Sequence, residues 1–296
     1  MTAMPQLAFG TPRKLPKARE LTGRVVVLDI AFAAGTGGAS FEKTTKPFID
    51  GLGDRLAMWI DHHDHVMHAA YADDPRFVLR TKAQHPACPE MVTAARVEAA
   101  GRVDTVCCHT DFDGLCAAAK WARGGEEPYT GADADARAID TRMGEPSERA
   151  RVIDRALRAR PRDNALRGLI VRYLATGSGD AALYHPIADA AQELRPREDR
   201  ARELARSYAV LGDVAMLRVE GSEPYDKTLL LMLGQERARV AVVHDRDNVT
   251  AAARFDSGLD LIGLLGLEGG MPTVVSVPDS RLLELLDKLG ATPPDR

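Results

Sequence analysis

His109-Thr110-Asp111-Phe112-Asp113-Gly114 places an imidazole and two carboxylates at every second position. At the end of an extended strand that alternation sends all three to one side, and mixed nitrogen and oxygen ligation suits manganese, zinc or iron better than calcium. Gly114 then opens a helix, whose amide-rich N-terminus attracts phosphate oxygens. A second concentration, Asp61-His62-His63-Asp64-His65 with His68 beyond it, follows the apolar Ala57-Met58-Trp59-Ile60. Here His65 and His68 read as exposed or supporting positions. Asp29 and Asp140 each close an apolar run, where an unpaired carboxylate is costly unless solvated or bound to a metal. Taken singly, Asp113-Gly114 reads also as a turn, Asp111 as a cap and the histidines as a solvated loop. Taken together, four apolar runs ending in metal-capable groups form the least ordinary feature of the sequence and point to a metal site.

The runs that must position these groups are 25–28, 56–60, 103–108 and 136–139, each short, apolar and read as a strand. Helical patterns at 89–100 and 115–122 lie between them. Alternating strands and helices imply an α/β fold with a parallel sheet, whose ligands bind beyond the carboxyl ends of the strands. From 147 to 211 the pattern is helical and Arg-rich, broken at Pro161, Gly177 and Pro196, and reads as a helical linking region. Strands are then predicted at 214–219, 228–233, 239–244 and 249–255, the last two joined by the polar turn Asp245-Arg246-Asp247-Asn248, with helices at 259–267 and 280–289. The expected organisation is a metal-binding domain over 1–146, a helical linker over 147–211 and a smaller α/β domain over 212–296.

Composition narrows the partners. The chain has 296 residues, 45% of them hydrophobic, enough for packed cores, and 39 Lys and Arg stand against 43 Asp and Glu. A net charge of -4 argues against bulk capture of long duplex nucleic acid and leaves a small anionic substrate held by a local cluster. Self-association is left open. Cys88, Cys107, Cys108 and Cys116 include no CxxC pair, so neither a disulfide framework nor a thiolate zinc site is indicated. Pro12, Lys14, Pro16 and Lys17 form a polar lead-in rather than a secretory signal, and no run is long enough to span a membrane; the expectation is a cytoplasmic protein. Gly35-Thr36-Gly37-Gly38 has neither dinucleotide nor P-loop spacing and reads as a loop. Acids alternate with the arginines of 149–206, which favours a solvated helical face over a nucleic-acid surface.

These motifs resemble the DHH phosphoesterase superfamily, which includes nanoRNA and phosphoadenosine-phosphate phosphatases. Its first motif is similar to His109 to Gly114, its second to Val26-Val27-Leu28-Asp29, its third to Asp61-His62-His63 and its fourth to Ile139-Asp140-Thr141, with Asp133 and Asp180 as alternatives for the fourth acid. The order departs from the family, which begins with the His-x-Asp-x-Asp-Gly motif, and looks like a circular permutation. The segment 239–277 resembles a degenerate DHH-associated domain, in which Arg254 and Gly269-Gly270 match the substrate-holding positions while the family's GGGH loop lacks its His. The resemblance implies two divalent ions, manganese first, on His109, Asp111, Asp113, Asp29, Asp61, His62 and Asp140. It makes Asp29, His62, His63 and Asp113 the catalytic set, with Asp29 bridging. His63, Arg254, Gly269 and Gly270 would hold the substrate, its distal part across an interdomain cleft. The implied activity is manganese-dependent hydrolysis of a small phosphate ester, such as a nucleotide or short oligonucleotide. The alternatives are a catalytically inactive nucleotide-binding or assembly protein of the same fold and a mononuclear hydrolase acting on another bond.

Overall fold

The computed structural model describes residues 4–35 and 38–291, so the predicted loop at Gly35 to Gly38 lies partly outside the described residues. The chain divides into two compact units, the first ending at Glu193 and the second beginning at Leu194.

The first unit is built on a sheet of β1 (Gln6–Phe9), β2 (Val25–Leu28), β3 (Leu56–Asp61), β5 (Phe77–Leu79) and β6 (Thr105–Cys108), with the two-residue β4 (Asp64–His65) just after β3. The order across the sheet is β1-β6-β2-β3-β5, and every pairing is parallel. Because side chains alternate, Val26, Leu28, Met58, Ile60, Val106 and Cys108 enter one core, while Val25, Val27, Trp59 and Cys107 enter another on the opposite face. Both faces are covered, which is why these strands are almost continuously apolar in sequence. Helix α1 (Lys46–Leu52) covers one face with Phe48, Ile49 and Leu52. Trp59 is fully buried there, and its indole N–H donates to the Ile30 carbonyl at 3.0 Å. Burying each such large apolar side chain contributes about 1.5–3 kcal/mol.

The other face is covered by α2 (Ala94–Ala100), α3 (Phe112–Ala122), α4 (Ala132–Thr141), α5 (Glu148–Ala159), α6 (Asn164–Ala175) and α7 (Ala181–Gln192), all of which place residues in one core. The segment 147–211, expected to link two domains, is thus divided. Its helices α5, α6 and α7 bury Ile153, Ile170 and Ile187 in the first unit, and α8 (Arg195–Ala205) belongs to the second. One strand expectation is corrected: 136–139 lies inside α4, where Ala132, Asp135, Ala136 and Ile139 are buried at helical spacing. A four-residue apolar run does not discriminate between the two periods.

In the second unit the strands are β7 (Ala209–Leu211), β8 (Val214–Val219), β9 (Val240–Asp245), β10 (Asn248–Ala253) and β12 (Val274–Pro278), with the two-residue β11 (Gly269–Gly270) between β10 and β12. They run in the order β12-β10-β9-β8-β7. The β9 and β10 hairpin turns at Arg246, whose φ is 54°, as the polar turn in the sequence suggests. The predicted strand at 228–233 is instead helix α9 (Lys227–Gln235), capped by Asp226, which accepts from the Leu229 N–H. The reason is topological, since β8 and β9 are parallel neighbours and a parallel pair needs a crossover connection. Helices α10 (Leu261–Leu265) and α11 (Leu282–Lys288) complete this unit's core. Among the described residues no helix is long and apolar enough to cross a membrane.

Candidate metal centre

Three neighbouring strands of the first unit end in the acids and histidines singled out by sequence. The ladder continues into them: the Asp29 N–H donates to the Ile60 carbonyl at 2.8 Å, and the His109 N–H donates to the Leu28 carbonyl at 3.1 Å. Backbone hydrogen bonds therefore fix Asp29, after β2, beside the end of β3, and His109, after β6, beside the end of β2. Asp29 has a φ of 59°, a left-handed conformation that a non-glycine residue adopts at a cost, and such strain concentrates at functional positions. Helix α3 begins at once after His109. Asp111 caps it by accepting from the Gly114 N–H at 3.1 Å, and Asp113 sits in its first turn, where the Cys88 N–H donates to Oδ1 at 3.2 Å and to Oδ2 at 3.0 Å. Asp140 arrives from the last turn of α4 rather than from a strand.

Gly114 allows the close approach of α3 to His109. A Cβ there would lie 2.7 Å from the His109 Cβ and 2.9 Å from its backbone. Gly114→Ala is therefore expected to displace the His109 ring and to weaken divalent-ion binding by roughly 10–100-fold, the usual effect of losing a ligand's supporting contact. Titration calorimetry with manganese checks this, and unchanged affinity rejects the assignment of His109 as a ligand.

Among the described residues, ligand atoms gather in three triads, Asp29-His62-His63, Asp29-His109-Asp111 and His62-Asp113-Asp140, the atoms of each lying within 4.8 Å of one another. Asp29 and His62 each belong to two. His62 Nε2 lies 3.0 Å from Asp29 Oδ1 and 3.0 Å from Asp113 Oδ2, and His109 Nδ1 lies 2.8 Å from Asp111 Oδ2. Yet both Asp29 oxygens and His109 Nδ1 are buried with no well-formed hydrogen bond. Buried polar atoms without partners need an explanation. Ligands about 2.1 Å from a common ion at right angles stand about 3 Å apart, so close approach without hydrogen-bond geometry fits donors arranged around a divalent ion. Asp61 is in none of the triads; its Oδ1 lies 2.9 Å from His63 Nδ1.

Electrostatics follow from this crowding. Burial, joined by the Asp113 and Asp111 charges, holds the Asp29 carboxyl well above its ordinary pKa. Burial likewise raises Asp113. For His109, burial works downward but is outweighed by Asp111 and Asp29, which bring its pKa up to about 9. Burial and Lys82 bring His63 down to about 4, although Asp61 opposes them. Asp61 moves the other way, to about 2, because His63 outweighs its burial. His62 donates through Nδ1 to the His85 carbonyl at 2.7 Å, which turns Nε2 toward the acids.

One participant went unnoticed in the sequence. Lys82, just beyond β5, is buried, with Nζ 2.8 Å from His62 Nε2 and paired with Asp140 Oδ2. Its backbone N–H donates to Asp64 Oδ2 at 3.3 Å. A fully buried lysine is rare without such partners, but its place in a polar segment gives no sign of burial.

His65 and His68 are not exposed; both pack against Phe32, at centroid distances of 5.6 and 5.2 Å, in an aromatic cluster. Asp133 pairs with Lys120 and Asp180 caps α7, and neither is in a donor triad among the described residues. The four cysteines are free and buried, and burial raises each thiol's pKa, as inert core positions require. In the second unit Arg254 follows β10, is exposed, and donates to both Asp256 oxygens at 3.0 Å. Gly269 and Gly270 form β11, with Gly270 at a φ of 126°.

No protein-family model matches the sequence, and no curated protein matches it. Solved structures do. The chain is similar to the pGpG-specific phosphodiesterase PggH of Vibrio cholerae, with a TM-score of 0.51 and 13% identity over 92% of this chain and 100% of that one. It also aligns with the exonuclease RecJ bound to manganese, with a TM-score of 0.48 and 13% identity over 91% of this chain and 75% of that one. At this identity the likeness to PggH shows a shared fold.

Proposed function

We propose that the chain is a metal-dependent phosphoesterase of the DHH type, with its motifs in circularly permuted order, acting on a small phosphate ester such as a nucleotide or short oligonucleotide. The observation that carries this reading is the gathering of Asp29, His62, His109, Asp111, Asp113 and Asp140 in overlapping donor triads, with both Asp29 oxygens left without hydrogen bonds. The fold shared with a pGpG-specific phosphodiesterase supports the substrate class. A divalent ion on these donors, manganese being the first to try, supplies Lewis acidity that activates water and offsets phosphate charge.

The chain's own residues divide the remaining work. Asp29 reaches two donor triads and is the group suited to bridge them. His63, held near pKa 4 and oriented through Nδ1 by Asp61, is a neutral imidazole at pH 7 that can accept a proton or hydrogen-bond to substrate. Arg254, Gly269 and Gly270 are carried over from the resemblance as substrate-holding candidates of the second unit, since a guanidinium grips phosphate bidentately.

The test is a hydrolysis screen with manganese over a nitrophenyl phosphodiester, phosphomonoesters, short oligonucleotides, linear and cyclic dinucleotides, and pyrophosphate. Metal-dependent turnover of at least one is expected. Nucleotide binding without turnover selects the inactive-protein reading, and turnover confined to other bonds rejects phosphate chemistry. For the best substrate, Arg254→Ala is expected to raise KM several-fold with kcat unchanged, the pattern of lost uniform binding; an unaltered KM removes Arg254 from the site.

A further inference from the structure

The His62-Asp113-Asp140 triad already contains a cation. Lys82 Nζ approaches His62 Nε2 at 2.8 Å and pairs with Asp140 Oδ2, so it engages donors on two of the three residues that would hold a second ion. Its side chain is 1% exposed. Two features hold it there: its backbone N–H donates to Asp64, and the His85 carbonyl at 2.7 Å from His62 Nδ1 keeps Nε2 facing the ammonium. The Asp29-His109-Asp111 triad differs in kind, because both Asp29 oxygens and His109 Nδ1 lack well-formed hydrogen bonds. Of these two sets, the first named is engaged by the protein's own charge and the second is left for an ion; the third triad, Asp29-His62-His63, shares with the ammonium the His62 ring that Lys82 contacts.

We propose that this protein binds one divalent ion, on Asp29, His109 and Asp111, and that the Lys82 ammonium takes the place of a second in the His62-Asp113-Asp140 triad. The inference rests on the metal-dependent reading above and departs from the two ions that the resemblance implies. A buried ammonium and a dication sharing His62 and Asp140 repel each other at short range, while the ammonium alone offsets the carboxylates and offers positive charge to a phosphate oxygen. Lys82 would then act as a positioning and charge-balancing group.

The deciding measurement is manganese stoichiometry on the full-length wild-type chain, by equilibrium dialysis with elemental analysis, together with the electron paramagnetic resonance spectrum at saturation. One ion per chain and the six-line spectrum of isolated manganese are expected. Two ions per chain, or the spectrum of an exchange-coupled pair, overturn the role of Lys82 and leave the metal-dependent reading standing. No binding at all rejects that reading, and this inference with it. Lys82→Ala is expected to raise the stoichiometry from one to two, and Lys82→Arg, which keeps the charge, to leave it at one. A Lys82→Ala protein that circular dichroism shows folded and that still binds one ion also refutes the proposal. Should that variant fail to fold, the wild-type stoichiometry and spectrum decide alone.

Discussion

Asp29→Asn is expected to lower metal-dependent hydrolysis on the order of a thousandfold while making the metal-free protein more stable. The loss follows from the position of Asp29 in two donor triads. A metal's stabilisation of developing charge contributes several kcal/mol, and about 4 kcal/mol corresponds to roughly a thousandfold in rate. The gain follows from the same environment without an ion. Asp29 is buried, its oxygens lack hydrogen bonds, and Asp113 and Asp111 crowd it with like charge. An amide removes that repulsion, and asparagine tolerates the left-handed φ of 59° at this position. Melting in a chelator should rise by roughly 2–4 °C for each kcal/mol recovered. A variant that keeps its activity, or that melts lower than the parent without metal, contradicts the assignment of Asp29 to an ion.

The second large effect is the joint dependence of stability on metal and pH. His109 is held at about 9 by Asp111 and Asp29 against its burial. A histidine raised in the folded state contributes stability that is fully present below its unfolded value near 6.5 and is lost as pH rises through about 9. Metal-free protein should therefore become less stable from pH 6.5 upward. His63, held near 4, acts oppositely, but only below the ordinary histidine range. Manganese competes with the proton on His109, so its stabilisation should grow across the same window. At a free concentration about 100 times the dissociation constant, ligand binding adds about 2.7 kcal/mol, or about 5–11 °C for a unit of this size. Calorimetric scans at pH 6.5 and 8.5, under argon, with manganese or chelator, test this. A metal-induced shift that shrinks toward pH 8.5 rules out ligation through His109.

Much of this centre was legible in sequence because its framework is a buried parallel sheet. Strands β2, β3 and β6 are short, fully buried runs, apolar apart from Thr105 and the closing Asp61, so the acids and histidines at their ends stand out. The helix after Gly114 was legible too. Asp140 joins a donor triad, but from a helix and not from the strand expected. Its segment carries buried Ala132, Ala136 and Ile139 at helical spacing, and the four residues before the acid were too few to reveal it. The 228–233 run failed differently, since only the parallel pairing of β8 with β9 requires a helix there. Lys82 had no signal at all. It follows β5, itself missed at three residues, and its burial depends on Asp140 and His62, which fall far from it in the chain.

The strand order has a consequence for how the chain reaches this state. β6 lies between β1 and β2, pairing Thr105 with Gln6 on one side and with Val25 on the other. During synthesis β1, β2 and β3 all emerge before the strand that must join them. Neither β1 nor the β1-facing edge of β2 has its neighbour until then, and an unpaired apolar edge invites pairing with another chain. Such distant pairing also slows folding. A nascent chain halted before Thr105 should accordingly engage chaperones, and its release should coincide with the arrival of His109 and Asp111, which complete the triad begun by Asp29 in the same stretch of translation.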